Sequence, residues 1–144
     1  MNVLDVALYS KLTADSGAGG VALLATGGIY NGRALDAVPD YVVFEELIDN
    51  PAYGFGNSLQ YDYVPYVIRA FAVDGANGGS SGKTKAGVIV DRLRVLLLNP
   101  ALTITGKTLQ CCRMLRTTNP TDEWDESNRR YVYGRGGIFD IWVS

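Results

Sequence analysis

Apolar residues recur at Leu4, Ala7, Leu8 and Leu12, spacings of three and four that lay one stripe along a helix, and a helix is predicted over residues 3–13. The Gly-rich residues 16–20 lead into apolar residues 21–25 and then Gly27 and Gly28. This reads as a short second helical turn ended by glycine, which reaches the left-handed closing conformation without steric penalty. An edge-like segment, a turn at Pro39 and a strand from Tyr41 follow. Residues 59–73 alternate as a strand does, with Val67, Arg69, Phe71 and Val73 on one face and Tyr66, Ile68, Ala70 and Ala72 on the other. The small residues of that second face admit a closely packed helix. Such a helix is predicted over 84–98, where Ala86, Ile89, Val90, Leu93, Leu96 and Leu97 form the apolar face, Asp91, Arg92 and Arg94 take the outer side, and Asn99-Pro100 ends it.

Residues 102–117 alternate polar and apolar around a kink at Thr105-Gly106-Lys107, and residues 130–143 read as a second long strand, expected to be interrupted at Gly134 and at Gly136-Gly137. Between them, residues 118–128 are polar and acidic and include Pro120, which suits an exposed hairpin tip or a flexible arm. In order the elements are α, short α, β, β, α, β, β. That order predicts an α+β fold: a single domain over 1–144, mainly antiparallel sheet with helices mostly on one face, and no internal repeat.

The run Gly27-Gly28-Ile29-Tyr30-Asn31-Gly32-Arg33, then Tyr41-Val42-Val43-Phe44-Glu45, within the order of elements above and followed by the helix from Ala86 to Leu98, resembles the tail-completion or tail-terminator proteins of long-tailed, lambda-like bacteriophages. The resemblance spans nearly the whole chain, through structural patterns and not catalytic signatures. It implies a small α+β subunit that forms a homo-oligomeric, hexameric ring on the end of the tail tube, stops tube growth and presents a surface for head–tail joining. The implied partners are further copies of the chain, the major tail tube protein and the head–tail connector or neck protein. The implied location is the head-proximal end of the virion tail, after assembly in the host cytoplasm, with no reaction catalysed and no cofactor. A neck or head-closure component, or a tube subunit, is the alternative within this class.

A chain of 144 residues is long enough to bury one core without staples. Its net charge of −2 argues against a dedicated, sequence-specific nucleic-acid binder, whose phosphate contacts need a basic face. Arg129, Arg130 and Arg135 cluster locally, but Asp122, Glu123, Asp125 and Glu126 supply the opposite charge, as on a solvated strand face or in salt bridges between subunits. No run approaches the ~18 apolar residues of a membrane span, and the first residues lack a basic leader, so no membrane role and a cytosolic origin are expected. There is no histidine, and the two cysteines, Cys111 and Cys112, are adjacent. In a strand they point to opposite faces and do not bridge each other; the usual zinc sites and the Cys-His and Ser-His mechanisms are excluded.

Residues 77–84, Asn-Gly-Gly-Ser-Ser-Gly-Lys-Thr, end in the Gly-Lys-Thr of a phosphate-binding loop and sit between a strand and a helix. Asn77 stands where the first glycine is required, and no apolar strand ending in a metal-holding aspartate follows. The segment is read as a flexible loop in which Ser81 or a neighbour caps the helix. Glu45 and Glu46, adjacent on a strand, point to opposite faces and do not pair for hydrolysis, and the 122–126 acids lack the apolar surround that would raise one acid's pKa. Binding is better carried by the loops 49–58, 75–83 and 118–128. The interface candidates are Tyr53, Phe55, Asn57, Asp122, Glu123, Trp124, Arg129, Arg130 and Arg135. Aromatics between glycines fit a partner contact, although Tyr53 and Phe55 could also fold back over the domain itself. Nine tyrosines against four phenylalanines tilt toward half-wet interfaces.

Overall fold

One long strand, Arg130–Val143, carries hydrogen-bonded neighbours on both of its edges. The computed structural model describes residues 2–34, 36–47, 50–53, 59–75 and 79–144, the side chains of 50–53 and 59–61 excepted. In chain order the elements are α1 (Val3–Ala14), α2 (Val21–Leu24), β1 (Ile29–Asn31), β2 (Tyr41–Glu46), β3 (Asn50–Tyr53), β4 (Leu59–Tyr63), β5 (Tyr66–Ala72), α3 (Gly82–Leu96), β6 (Leu109–Thr117), β7 (Thr121–Asp125) and β8 (Arg130–Val143). Among the described residues, eight strands form one sheet. On one edge of β8, β5 pairs from Tyr66↔Phe139 to Ala72↔Tyr133, and β4 adds Asp62↔Val143 and Tyr63↔Trp142 in the same register. The other edge takes β6, from Leu109↔Val143 to Thr117↔Gly137, and then β7, from Thr121↔Gly134 to Asp125↔Arg130. Only the short β1 runs parallel to its neighbour, β2. The α+β reading, antiparallel sheet with helices on one face, holds.

Alternation decides which face is covered. Tyr66, Ile68, Ala70 and Ala72 of β5 are fully buried beneath the helices, together with Val42 and Phe44 of β2 and Phe139 and Ile141 of β8. Leu8 and Leu12 of α1 and Ile89, Leu93 and Leu97 from α3 and its C-terminal cap complete this core. The predicted stripes of α1 and α3 are therefore the faces that pack.

Polar contacts fix how the helices sit. Asn2 caps α1 by accepting the Leu4 and Asp5 N–H groups, both at 2.9 Å, while the Asp5 carboxylate accepts the Asn2 N–H. The other Asp5 oxygen accepts the Tyr66 hydroxyl at 2.6 Å, inside the core. Burial first, then this carboxylate, pushes the Tyr66 hydroxyl pKa far above the ordinary tyrosine value. At the other end of α1, Arg92 grips Asp15 through Nε at 2.8 Å and Nη2 at 2.6 Å, and Asp15 also accepts the Val21 N–H. Arg92, expected on the outer side of α3, is thus a tie between α3 and the α1–α2 turn.

Other expectations are corrected. Within the loop expected over 49–58, residues 50–53 form strand β3, which among the described residues pairs with β4 alone at the sheet margin, where Pro51 is tolerated; residues 49 and 54–58 lie outside the described residues. The single strand expected over 59–73 is two, because Pro65 has no N–H to give the ladder. The strand expected from residue 102 begins at Leu109; before it, Ile104 and Lys107 bridge around Gly106, whose φ is +73°. The expected interruptions of β8 do not occur. A Cβ at Gly136 would lie 2.7 Å from Arg69 Cγ and one at Gly137 2.6 Å from Met114 Cε, so these glycines let side chains cross β8. The helix α3 starts at Gly82, and Ser81 makes no side-chain cap: Asp74 Oδ1 accepts the Gly82 N–H at 2.7 Å instead. Cys111 is half-buried, Cys112 is buried and both are free.

Leu93→Asp should abolish folding, because it places a carboxylate in the centre of the core at a cost on the order of 5 kcal/mol, comparable to a domain's whole stability; a soluble variant with a cooperative melt would contradict this. Arg92→Ala should lower Tm at neutral pH. The Arg92 hydrogen bonds, with the Val21 N–H, hold the Asp15 pKa below 3.8 against the opposing effect of burial. A depressed carboxyl stabilises the fold above its unfolded value and loses that contribution as pH falls through the folded one. The Tm gap between wild type and variant should therefore be full above about pH 5 and close as pH drops below 3.8; a gap independent of pH would contradict the pairing.

Candidate assembly surfaces

Beyond the last β5 pair, Ala72↔Tyr133, residues 130–132 have β7 alone as a ladder partner among the described residues, so the distal part of the β7–β8 hairpin is a two-stranded arm. Cross-strand pairing builds its surface. Trp124 and Tyr131 stand directly opposite each other with ring centroids 5.0 Å apart, edge to face, and each is 50% exposed. Tyr133 continues the row, stacked on Tyr131 at 6.2 Å.

Charge fixes the arm to the body. Asp122 receives Arg135 at 3.1 Å and Lys83 at 3.8 Å, and Lys83 Nζ lies 5.5 Å from the Tyr133 ring centroid. Asp125 lies 3.8 Å from Arg130 and accepts from Asn128, and the Asn128 hydrogen bond leads in lowering its pKa. Trp124 Nε1 donates to Glu126 at 2.7 Å, and Arg129 holds the turn with φ of +51°.

The second surface is the sheet face opposite the helices. There Tyr41 stacks on Phe71 at 5.1 Å, Tyr30 meets Tyr41 edge-on at 6.2 Å, and the Arg69 guanidinium lies 5.3 Å from the Phe71 ring. Tyr41, Phe71 and Arg69, with Val43, Glu45 and Val67, line an open groove of ≈ 290 Å³. Arg69 Nη2 donates to Thr121 Oγ1 at 3.0 Å, but Arg69 Nε is buried and has no hydrogen-bond partner among the described residues. Burial, and after it the charge of Glu123, raises the Tyr41 hydroxyl pKa. Farther along this face Tyr63 stacks on Trp142 at 4.6 Å, and its hydroxyl donates to the buried Asp140.

The structure brings six of the sequence-predicted residues together on or at the root of the arm: Asp122, Glu123, Trp124, Arg129, Arg130 and Arg135. Tyr53 ends β3, but its side chain, like Phe55 and Asn57, lies outside the described residues. The salt bridges expected for the arginines form within the subunit for Arg130 and Arg135. The phosphate-loop reading meets a lysine already engaged by Tyr133 and Asp122, while Asn77 and Gly78 lie outside the described residues. The groove was not foreseen; its signal was the β5 alternation, which sets Arg69 and Phe71 on a face with no helix predicted to cover it.

No protein-family model matches the chain, and no curated protein matches it. Among solved structures, a chain of the "Virion of native gene transfer agent (GTA) particle" is 16% identical and superimposes with a TM-score of 0.65 over 97% of this chain and 93% of that chain. This chain shares that fold over nearly its whole length.

Proposed function

We propose that the chain is a non-enzymatic structural subunit of a phage-type virion, and within it the tail terminator. In this reading copies of the chain close into a hexameric ring on the last ring of the tail tube, cover the surface on which the next would polymerise, and offer the opposite surface to the neck or head–tail connector. The observation that carries the reading is the full-length fold likeness to a chain of a virion particle. The two unlike surfaces of one subunit, arm and groove, also suit it, since a ring closes through heterologous contacts between different patches.

Particles assembled without this chain and viewed by electron microscopy should show tail tubes grown past their normal length and not joined to heads. Unjoined tubes of normal length would shift the role to the neck, and the absence of any tube would make the chain a tube subunit. Lys83→Ala should change stability by no more than about 1 kcal/mol, the range of an exposed ion pair, and neither wild type nor variant should take up magnesium-ATP in calorimetry. Micromolar nucleotide binding lost on this substitution would overturn the assignment of Lys83 to the arm.

A further inference from the structure

The groove and the arm tip each hold chemistry that their own subunit leaves unused. In the groove, the Tyr41–Phe71 stack forms an apolar wall, Arg69 carries a buried Nε with no hydrogen-bond partner among the described residues, and Glu45 is exposed without an ion-pair partner among them. At the tip, Trp124 and Tyr131 are half exposed, and Glu126 and Arg129 make no ion pair among the described residues, whereas Glu123, nearer the root, acts by its charge on Tyr41 of its own groove. The charges are complementary in both senses: the groove offers a cation, Arg69, and an anion, Glu45, and the tip an anion, Glu126, and a cation, Arg129.

A subunit's own tip cannot fill its own groove. The arm is rooted beside the groove, where Thr121 accepts from Arg69, and the turn lies about five residues farther along a continuous ladder, roughly 15 Å away at strand rise. Trp124 and Tyr131 share the ladder face of Tyr133 and Lys83, opposite the face on which Thr121 and Glu123 meet the groove, so the aromatic pair points away from the groove that it matches.

We infer that the arm tip of one copy seats in the outer-face groove of the next, with Trp124 and Tyr131 against Tyr41 and Phe71, a tip carboxylate toward Arg69, and Arg129 toward Glu45. The contact rests on the ring assembly proposed above and assigns the two unlike patches that such a ring requires. Aromatic anchors and arginine are the residue types in which interface energy concentrates. The Trp124–Glu126 hydrogen bond holds the indole and a carboxylate in one geometry before contact, which lowers the ordering cost of association.

The test is sedimentation velocity with native mass spectrometry on the full chain as wild type, Trp124→Ala, Arg129→Glu, Glu45→Arg and the Arg129→Glu/Glu45→Arg double variant, each with a thermal melt. If the wild type assembles only on tails, occupancy on purified tails replaces the solution measurement. All melts should stay close to wild type, because the substituted residues are exposed. Trp124→Ala should raise the concentration needed for assembly about thirty-fold or more, each charge reversal should weaken the ring, and the double variant should recover it. Full rings from all the single variants, or no recovery in the double, would overturn the contact while leaving the ring standing. Rings retained by variants that no longer attach to tails would also overturn it, by giving the arm to the tube or connector. A wild type that is monomeric both in solution and on tails would overturn the ring reading and the contact together.

Discussion

The pairing of β8 along both edges is the constraint on which the rest of the structure depends. A strand of 14 residues donates and accepts on both sides, so β4 and β5 on one edge and β6 and β7 on the other are set in register by a single template. Its inner face supplies Phe139, Ile141 and Val143 to the core. Its middle carries Gly134, Gly136 and Gly137, over which Phe71, Arg69 and Met114 pass. A side chain at Gly134 or Gly136 would strike Thr121 or Arg69 and close the outer face, and one at Gly137 would strike Met114, which packs against the core. The groove and the core thus follow from the same strand.

The helices are held by the apolar stripe for energy and by a few carboxylates for position. Burial is non-directional and tolerates sliding; a charge-assisted bond does not. Asp5 joins the start of α1 to β5 through Tyr66, and Asp15 joins its end to α3 through Arg92. Asn99, with φ of +44°, closes α3 and exchanges hydrogen bonds with Cys112 of β6 through its backbone and side chain. Each contact ties a helix end, where backbone groups lack helical partners, to a strand or another helix elsewhere in the sequence.

Local periodicity made the core legible. The stripe of α1, the face of α3 and the alternation of β5 are visible because burial imposes a period on neighbouring residues. The acidic and basic residues of the arm were also legible, since opposite charges within fifteen positions can be read without the fold. What stayed hidden is long-range or depends on absent atoms. Tyr66 and Asp5 are 61 positions apart, and Arg92 and Asp15 are 77 apart. The glycines of β8 read locally as breaks, yet they serve neighbours that only the ladder brings near. The groove draws on β2 and β5 and is closed by Gly32 and Ala34, so no single segment carries its pattern.

A sheet whose outer face keeps aromatic and charged groups without a helix, and whose edge extends into an aromatic-tipped arm, is suited to contacts between subunits. That surface chemistry, with the fold shared with a chain of a gene transfer agent virion, supports the proposal that copies of the chain form a ring at the end of a tail. Cryo-electron microscopy of intact particles at a resolution that shows strands tests it most directly. A single ring of this fold between the last tube ring and the neck is expected. Density for the fold repeated along the tube, or absent from the particle, would contradict it.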